Sequence, residues 1–373
     1  MFLKQKIIIL TIAITLCALT VSLLTYPSQS RIAPDFKQAG ESINNININN
    51  ISSTQPLTMT DLKGKVVLVN FWTYSCINVL RTLPHMIDWN TKYADKGLVI
   101  VGVHTPEFGF EKNTTNVQTS LQKYGIKYPV IQDNEYKIWN AYGNNYWPRM
   151  YLVDDQGIIR YDKIGEGDYN QTEKVIQSLL AERNGNNQIE NVDQNTTLPY
   201  ENRTASNSRN DISSFLEQPV DFSKIKTPEL YFGNQSSGSS LGNSGIHSGQ
   251  IVTYTIPSAN GSIKHNTIYL EGDWKSNHDN VELQSESGRI ILIYSAKAVN
   301  LVAGGKGEGI VHVDGPLLSN NFRGVDTKND SKFAIDFPRL YNIVNHQSYD
   351  DYFHSLVIDV KGKGFQAFAF TFG

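Results

Sequence analysis

The chain is poor in cysteine: Cys17 and Cys76 are the only two in 373 residues. Cys17 falls inside an N-terminal apolar run, so Cys76 is the single thiol of the part that would lie outside a membrane. No intramolecular disulfide can staple that part. Two cysteines in such different settings argue against a zinc or iron–sulfur centre, and no compatible partner set surrounds His85. No cofactor is implied. An excess of one charge is also missing, with 33 Lys plus Arg against 36 Asp plus Glu. That leaves no overall basic field for nucleic acid. Charged residues make up only 18%, and Asn, Ser and Thr fill much of the polar surface instead, as suits an exported chain. The length is enough for two domains of ordinary size.

What is present begins with an address. Lys4 and Lys6 precede a nearly unbroken apolar run from Ile7 to Leu24. Its length is near the minimum for crossing a bilayer, and the upstream lysines should hold the N-terminus inside. Residues 1–30 therefore read as a signal peptide or a membrane anchor. The rest is expected at the outer face of the cytoplasmic membrane, anchored or secreted. Leu16 is too bulky to precede a lipidated cysteine, so Cys17 reads as a buried apolar one.

The stretch that organises the chain is VVLVNFWTYSCINVLRTL, Val66 to Leu83. Val66 to Phe71 has the length and composition of a buried strand. A short turn follows and Cys76 opens a helix reaching about Tyr93, which Pro84 is expected to kink. The unpaired N–H groups and dipole of a helix start favour the thiolate, the nucleophilic form, whereas burial without a donor opposes it. In a C-x-x-C redox motif, a second cysteine three residues on resolves the mixed disulfide. That position is Val79, which cannot attack a disulfide, so a dithiol cycle within one chain is excluded.

Around this unit, Leu98 to Val103 reads as a central parallel strand and Asn113 to Lys123 as a crossover helix. Val130 and Ile131 form a short strand and Asn134 to Tyr142 a short helix. Met150 to Val153 and Ile158 to Tyr161 pair as a hairpin, and Tyr169 to Leu180 closes the unit as a helix. Residues 57–183 thus predict a small α/β sandwich. Residues 31–56 read as a spacer, with a short edge strand near Ile51, and residues 184–222 as a polar linker. From 223 to 373 many short strands alternate with polar turns and no helical stretch intervenes. That predicts an all-β, jelly-roll-like sandwich.

Several longer motifs carry a resemblance. They are WTYSCINVLRTLP at Trp72 to Pro84, GVHTPEFGFE at Gly102 to Glu111, YPVIQDN at Tyr128 to Asn134, YWPRMYLVDDQG at Tyr146 to Gly157 and GEGDY at Gly165 to Tyr169. In the second half stand TPELYFG at Thr227 to Gly233, LEGDW at Leu270 to Trp274, VDG at Val313 to Gly315 and AFAFTFG at Ala367 to Gly373. The chain resembles the extracytoplasmic thioredoxin-like proteins of the TlpA and DipZ type over nearly its whole exported length. The resemblance does not extend to the multi-helix membrane domain that precedes this module in full-length DipZ-like proteins. The family motif has a second cysteine where this chain has Val79. The resemblance implies a thioredoxin-like fold and assigns Pro148 as a cis-proline facing the thiol.

On that reading Cys76 is the nucleophile, and its alternative is a small buried hydrophobe. Trp72 covers the thiol or packs in the core. Tyr74, Ser75 and Trp147 line a substrate groove. Asn70 stands near the place of a buried acid in many thioredoxins but cannot titrate, so Glu107 is its best substitute. Trp274, Asp273, His312, Asp314 and Tyr341 could floor a ligand surface, though core and turn roles explain them as well. The leading expectation is thiol–disulfide exchange with protein or small-molecule thiols and disulfides, with a membrane electron donor as a further partner. The alternative is a non-catalytic scaffold whose β-sandwich binds a glycan or protein.

Overall fold

The computed structural model describes residues 31–36, 57–185, 216, 218–233, 240–243, 249–256 and 263–373. The N-terminal apolar run, the strand expected near Ile51 and most of the linker lie outside the described residues. Among the described residues no helix is long and apolar enough to cross a membrane.

The first domain is a six-stranded sheet in the order β1-β6-β5-β2-β3-β4. Its strands are β1 (Arg31–Ile32), β2 (Val66–Trp72), β3 (Leu98–His104), β4 (Val130–Gln132), β5 (Arg149–Val153) and β6 (Ile158–Ile164). β2 is buried at every position because it lies between β3, parallel to it, and β5, antiparallel to it. Side chains alternate along it. Val66 and Leu68 enter one core, while Val67, Val69 and Phe71 enter another on the opposite face. Helices α1 (Ile77–Tyr93), α2 (Thr114–Tyr124) and α4 (Tyr169–Arg183) supply apolar residues to the first core, and the short α3 (Lys137–Ala141) to the second. Helix α1 continues through Pro84. The stretch read as a spacer begins inside this sheet: β1 pairs with β6, and Ala33 and Phe36 are buried. Sequence gave it no strand because two residues are too few to show a period.

The turns follow from their residues. Asn113 caps α2 by accepting the amide N–H groups of Thr115 and Asn116, and Gly125 ends it in the left-handed region at φ 69°, where glycine carries no Cβ penalty. Asp154 ties the β5–β6 turn by accepting the N–H of Gln156 and of Ile158.

The second domain is mostly β. Its strands are β7 (Leu230–Tyr231), β8 (Ile251–Tyr254), β9 (Ile268–Ser276), β10 (Val281–Leu283), β11 (Ser287–Tyr294), β12 (Ala298–Gly305), β13 (Glu308–Val313), β14 (Lys332–Ala334), β15 (Arg339–Asn345), β16 (His354–Lys361) and β17 (Phe365–Phe372). The pairings run continuously as β14-β13-β16-β11-β9-β10-β17-β12-β15, with β7 on β17 and β8 on β9. β9 turns the corner. Ile268 to Glu271 pair with β11, and Trp274 to Ser276 pair with β10. Gly272, at φ 101°, sits between the two segments. The sheet thus folds over its own core as a sandwich whose leaves remain hydrogen-bonded to each other.

The two domains share an apolar contact. In β12, Val299, Leu301 and Ala303 enter the core of the second domain, while Ala298 and Val302 join the first domain's core. In β17, Phe365 and Ala367 point to the former, and Phe368 and Ala369 join the latter. Burial on both faces explains why AFAFTF lacks the polar alternation of a half-solvated strand. Phe368 makes edge contacts with Phe108 at 5.4 Å and Phe110 at 4.7 Å between ring centroids. Burying a side chain of this size contributes about 1.5–3 kcal/mol.

Candidate active site around Cys76

Cys76 is the N-cap residue of α1, and its carbonyl accepts the first helical bond from Leu80 N–H at 3.0 Å. The Trp147–Pro148 peptide bond is cis, and the Trp147 carbonyl oxygen lies 4.0 Å from Cys76 Sγ. The sheet makes this meeting. β2 delivers the cysteine at its C-terminal end, and β5, antiparallel to it, begins beside that end with Pro148 just before it. Val79 is fully buried one turn into the helix.

The thiol is 8% exposed. Burial pushes it well above the ordinary cysteine value, and the charges of Glu229 and Glu107 add to this; the N–H groups of Val79 and Asn78 oppose it. The helix terminus therefore acts in the expected direction but is outweighed. Burial and two nearby acids favour S–H over S⁻.

Glu107 occupies the loop after β3, as expected of the substitute acid. It is half-buried, and burial with the neighbouring Glu229 and Glu111 raises its carboxyl to about 8. Its partner comes from the other domain, because Tyr231 Oη lies 2.9 Å from Glu107 Oε1. The same phenol lies 3.0 Å from Glu229 Oε2.

Other expected site residues lie elsewhere. Trp72 is fully buried and meets His104 edge-on at 5.2 Å, so it occupies its core alternative. Tyr74 is buried and stacks on His104 at 5.5 Å between ring centroids. Ser75 is buried and donates to Glu111 Oε1 at 2.6 Å. Neither lines a groove, because both are drawn inward by partners on the β3 side. Trp147 keeps a place beside the thiol through its carbonyl, while its indole N–H donates to the Thr105 carbonyl at 3.1 Å. Asn70 is fully buried in mid-strand.

Glu111 went unassigned in the sequence. It is wholly buried and accepts from the hydroxyls of Thr73 and Ser75 and from the N–H groups of Glu107 and Phe108. It thereby fixes both the turn before Cys76 and the loop bearing Glu107. Its signal was an acid four residues beyond Glu107 in a short helical turn, ordinary for a cap. His104 is another unassigned group, buried and held neutral with its pKa lowered to about 3. Glu229 and Tyr231 lie in TPELYFG, which marked the resemblance but carried no chemistry until the domains were placed together.

The five candidate ligand residues of the second domain do not converge. Trp274 and Tyr341 are core side chains, Asp273 accepts from Thr253, His312 pairs with Asp359 and Asp314 with His354. His85, expected as an ordinary helix histidine, stacks on Tyr169 at 3.6 Å between ring centroids.

Comparison with known proteins places this arrangement. Residues 227–373 match the family described as Thioredoxin like C-terminal domain, and residues 30–162 match the AhpC/TSA family. Protein DipZ of Mycobacterium bovis is 33% identical over 325 residues, 87% of this chain and 41% of its own length. Thiol-disulfide oxidoreductase ResA of Bacillus thuringiensis is 31% identical over 123 residues, 33% of this chain and 68% of its own length. The chain belongs to the TlpA/DipZ-type thioredoxin-like proteins. Within this thiol–disulfide oxidoreductase family, it spans about two fifths of the DipZ length, 41%.

Proposed function

We propose that the chain carries out thiol–disulfide exchange outside the cytoplasm through the single thiol of Cys76. The observation that carries this reading is the placement of Sγ 4.0 Å from the Trp147 carbonyl, beside Pro148, at the start of α1. A proline there offers no N–H to compete with an extended substrate, and a neighbouring backbone group can pair with the incoming chain.

The step is a displacement. The thiol proton passes to a base, the sulfur attacks one sulfur of a substrate disulfide, a new S–S bond forms, and the other substrate sulfur leaves as a thiolate that takes up a proton. With Val79 in place of a resolving thiol, an external thiol must attack the mixed disulfide to free Cys76. Because the resting thiol holds its proton, exchange is slow near neutrality and speeds up with pH.

A second reading has its own support: the 8% exposure of Cys76 and the loss of the resolving position also suit a scaffold whose thiol is inert. The two separate in one experiment. A C17S variant of the full chain is incubated with oxidised glutathione and measured by intact mass. Exchange predicts one glutathione adduct at Cys76, removed by added thiol and absent from C17S/C76S. A folded chain that takes no adduct, while the denatured chain does, would overturn exchange and leave the scaffold.

A further inference from the structure

We propose that the second domain carries a binding site of its own: a cavity at one end of the sandwich that takes a small ligand with a primary ammonium beside a carbonyl or carboxylate oxygen, as on a free amino acid or a peptide N-terminus.

The cavity has a volume of about 490 Å³, within the range of roughly 300–1,000 Å³ usual for small-molecule sites. The loop from β13 to β14 and the loop from β15 to β16 enclose it. Leu317 and Phe322 form an exposed apolar wall. Among the described residues no lysine or arginine lines the space.

The opposite wall is charged. His354 lies between two acids, with Nδ1 2.7 Å from Asp314 Oδ2 and Nε2 2.9 Å from Asp350 Oδ2. An ionised carboxylate only accepts, so both ring nitrogens carry protons and the ring is an imidazolium. Both of those protons are spent on the acids. The three groups therefore keep one net negative charge. The other oxygens, Asp314 Oδ1 and Asp350 Oδ1, each accept one backbone N–H, from Ser355 and from Tyr352, and each retains a lone pair for a further donor. Nearby bases do not cancel the charge. Lys226 pairs with Asp351, Lys297 lies over the Tyr349 ring, and Arg323 donates to Asn329. A neutral ligand closing over this wall would bury an uncompensated charge, whereas an ammonium completes the set.

His346 supplies an independent observation. It lines the cavity, is 6% exposed, and stacks on His354 at 4.6 Å between ring centroids, with the Phe322 ring at 5.0 Å. Its Nε2 lies 2.8 Å from Tyr294 Oη. Tyr294 is fully buried, and among the described residues His346 is the hydrogen-bond partner its hydroxyl has. An O–H left without an acceptor there would be costly, so the phenol donates and Nε2 accepts. The proton of the neutral ring then sits on Nδ1. Burial keeps the ring neutral, with its pKa lowered to about 4. Among the described residues Nδ1 has no hydrogen-bond partner. A nine-tenths-buried N–H therefore opens on the cavity beside an imidazolium, a place that suits an oxygen with partial or full negative charge. Because the acids and this donor belong to adjacent stacked rings, an ammonium and an oxygen on neighbouring carbons can meet both. Phe322 and Leu317 are left for the ligand's apolar side chain.

The test is titration calorimetry of the full chain with leucine, leucinamide, the dipeptide Leu-Gly, N-acetyl-leucine and glucose. Leucine or Leu-Gly should bind with a dissociation constant of about 1 mM or tighter. Leucine binding more tightly than leucinamide and Leu-Gly identifies a free amino acid, and equal binding of all three identifies a peptide N-terminus. N-acetyl-leucine, which has no ammonium, should bind about tenfold or more weakly, and D350N and H346Q should each weaken leucine or Leu-Gly by about tenfold. No binding of any amine at 10 mM (about ten times that constant), equal binding of N-acetyl-leucine, or binding of glucose in place of the amines would overturn the assignment. The comparison of leucine with N-acetyl-leucine needs no variant, so the proposal stays testable if a substitution impairs folding.

Discussion

Glu107 and Glu111 are the same residue type, four positions apart in one loop, and the structure gives them different work. Glu111 is closed in by donors, two hydroxyls and two backbone amides. Every partner belongs to the first domain. Glu107 has one side-chain partner, Tyr231 of the second domain, and shares it with a second acid. A carboxylate surrounded by donors serves as a fixed strut, whereas one that shares a phenol with a second acid ties the two domains. The comparison teaches that the type of donor, more than burial, separates an acid locked within its own domain from one tied to the other domain.

The sharpest way to break this contrast is to remove each acid. E111A strands buried donors from two strand-end hydroxyls and two amides, and should cost about 4 kcal/mol or more of folding stability. E107Q keeps the shape of a protonated acid and should cost under about 1 kcal/mol while altering the pH profile of Cys76 labelling. Urea unfolding of both variants checks the pair, and equal losses would erase the distinction. Next in size is F368A. It empties the contact with Phe108 and Phe110 and should destabilise by about 3–4 kcal/mol, with faster iodoacetamide labelling of Cys76 as the second domain loosens. Unchanged labelling would mean that the second domain does not cover the thiol.

A smaller effect concerns His104, the neutral neighbour of Trp72 and Tyr74. Its folded pKa of about 3 lies below the unfolded value of about 6.5. The unfolded chain therefore binds more protons between these values, and stability falls as pH drops from about 6.5 toward 3. H104L removes that contribution. The wild-type minus H104L stability difference should become less favourable by about 1–2 kcal/mol between about pH 7 and pH 5, read by denaturant unfolding at each pH. V79C should cost under about 1.5 kcal/mol for a similar buried volume. It restores the spacing of a dithiol, so mild oxidation should remove two hydrogens by intact mass without any adduct.

Much of the first domain was legible because its strands and helices follow their own periods. Val66 to Phe71 read as a fully apolar strand, and Asn113 and Gly125 bracket a helix with the residues such ends need. The thiol's position at a helix start and the cis bond before Pro148 were also legible, the latter through the family motif. What was not legible depends on contacts between distant segments. β1 is only two residues long and exists because β6 offers an edge. Trp72, Tyr74 and Ser75 flank the thiol in sequence, yet His104 and Glu111 draw them inward. The helix start promised a lowered thiol pKa, but burial reverses the balance, and two acids, one of them from the second domain, add to it. Tyr231 and Glu229 could not be assigned from the sequence because nothing local to TPELYFG shows what it faces.

The most direct measurement is the pH dependence of iodoacetamide labelling of Cys76 in the folded full chain carrying C17S, read by intact mass. The account predicts a midpoint above the free-cysteine value of about 8.5, because burial, with Glu229 and Glu107 adding to it, holds the proton on the sulfur. A midpoint below about 7 would show a thiolate activated by the helix start, and would contradict a thiol held protonated by burial and by the acids of two domains.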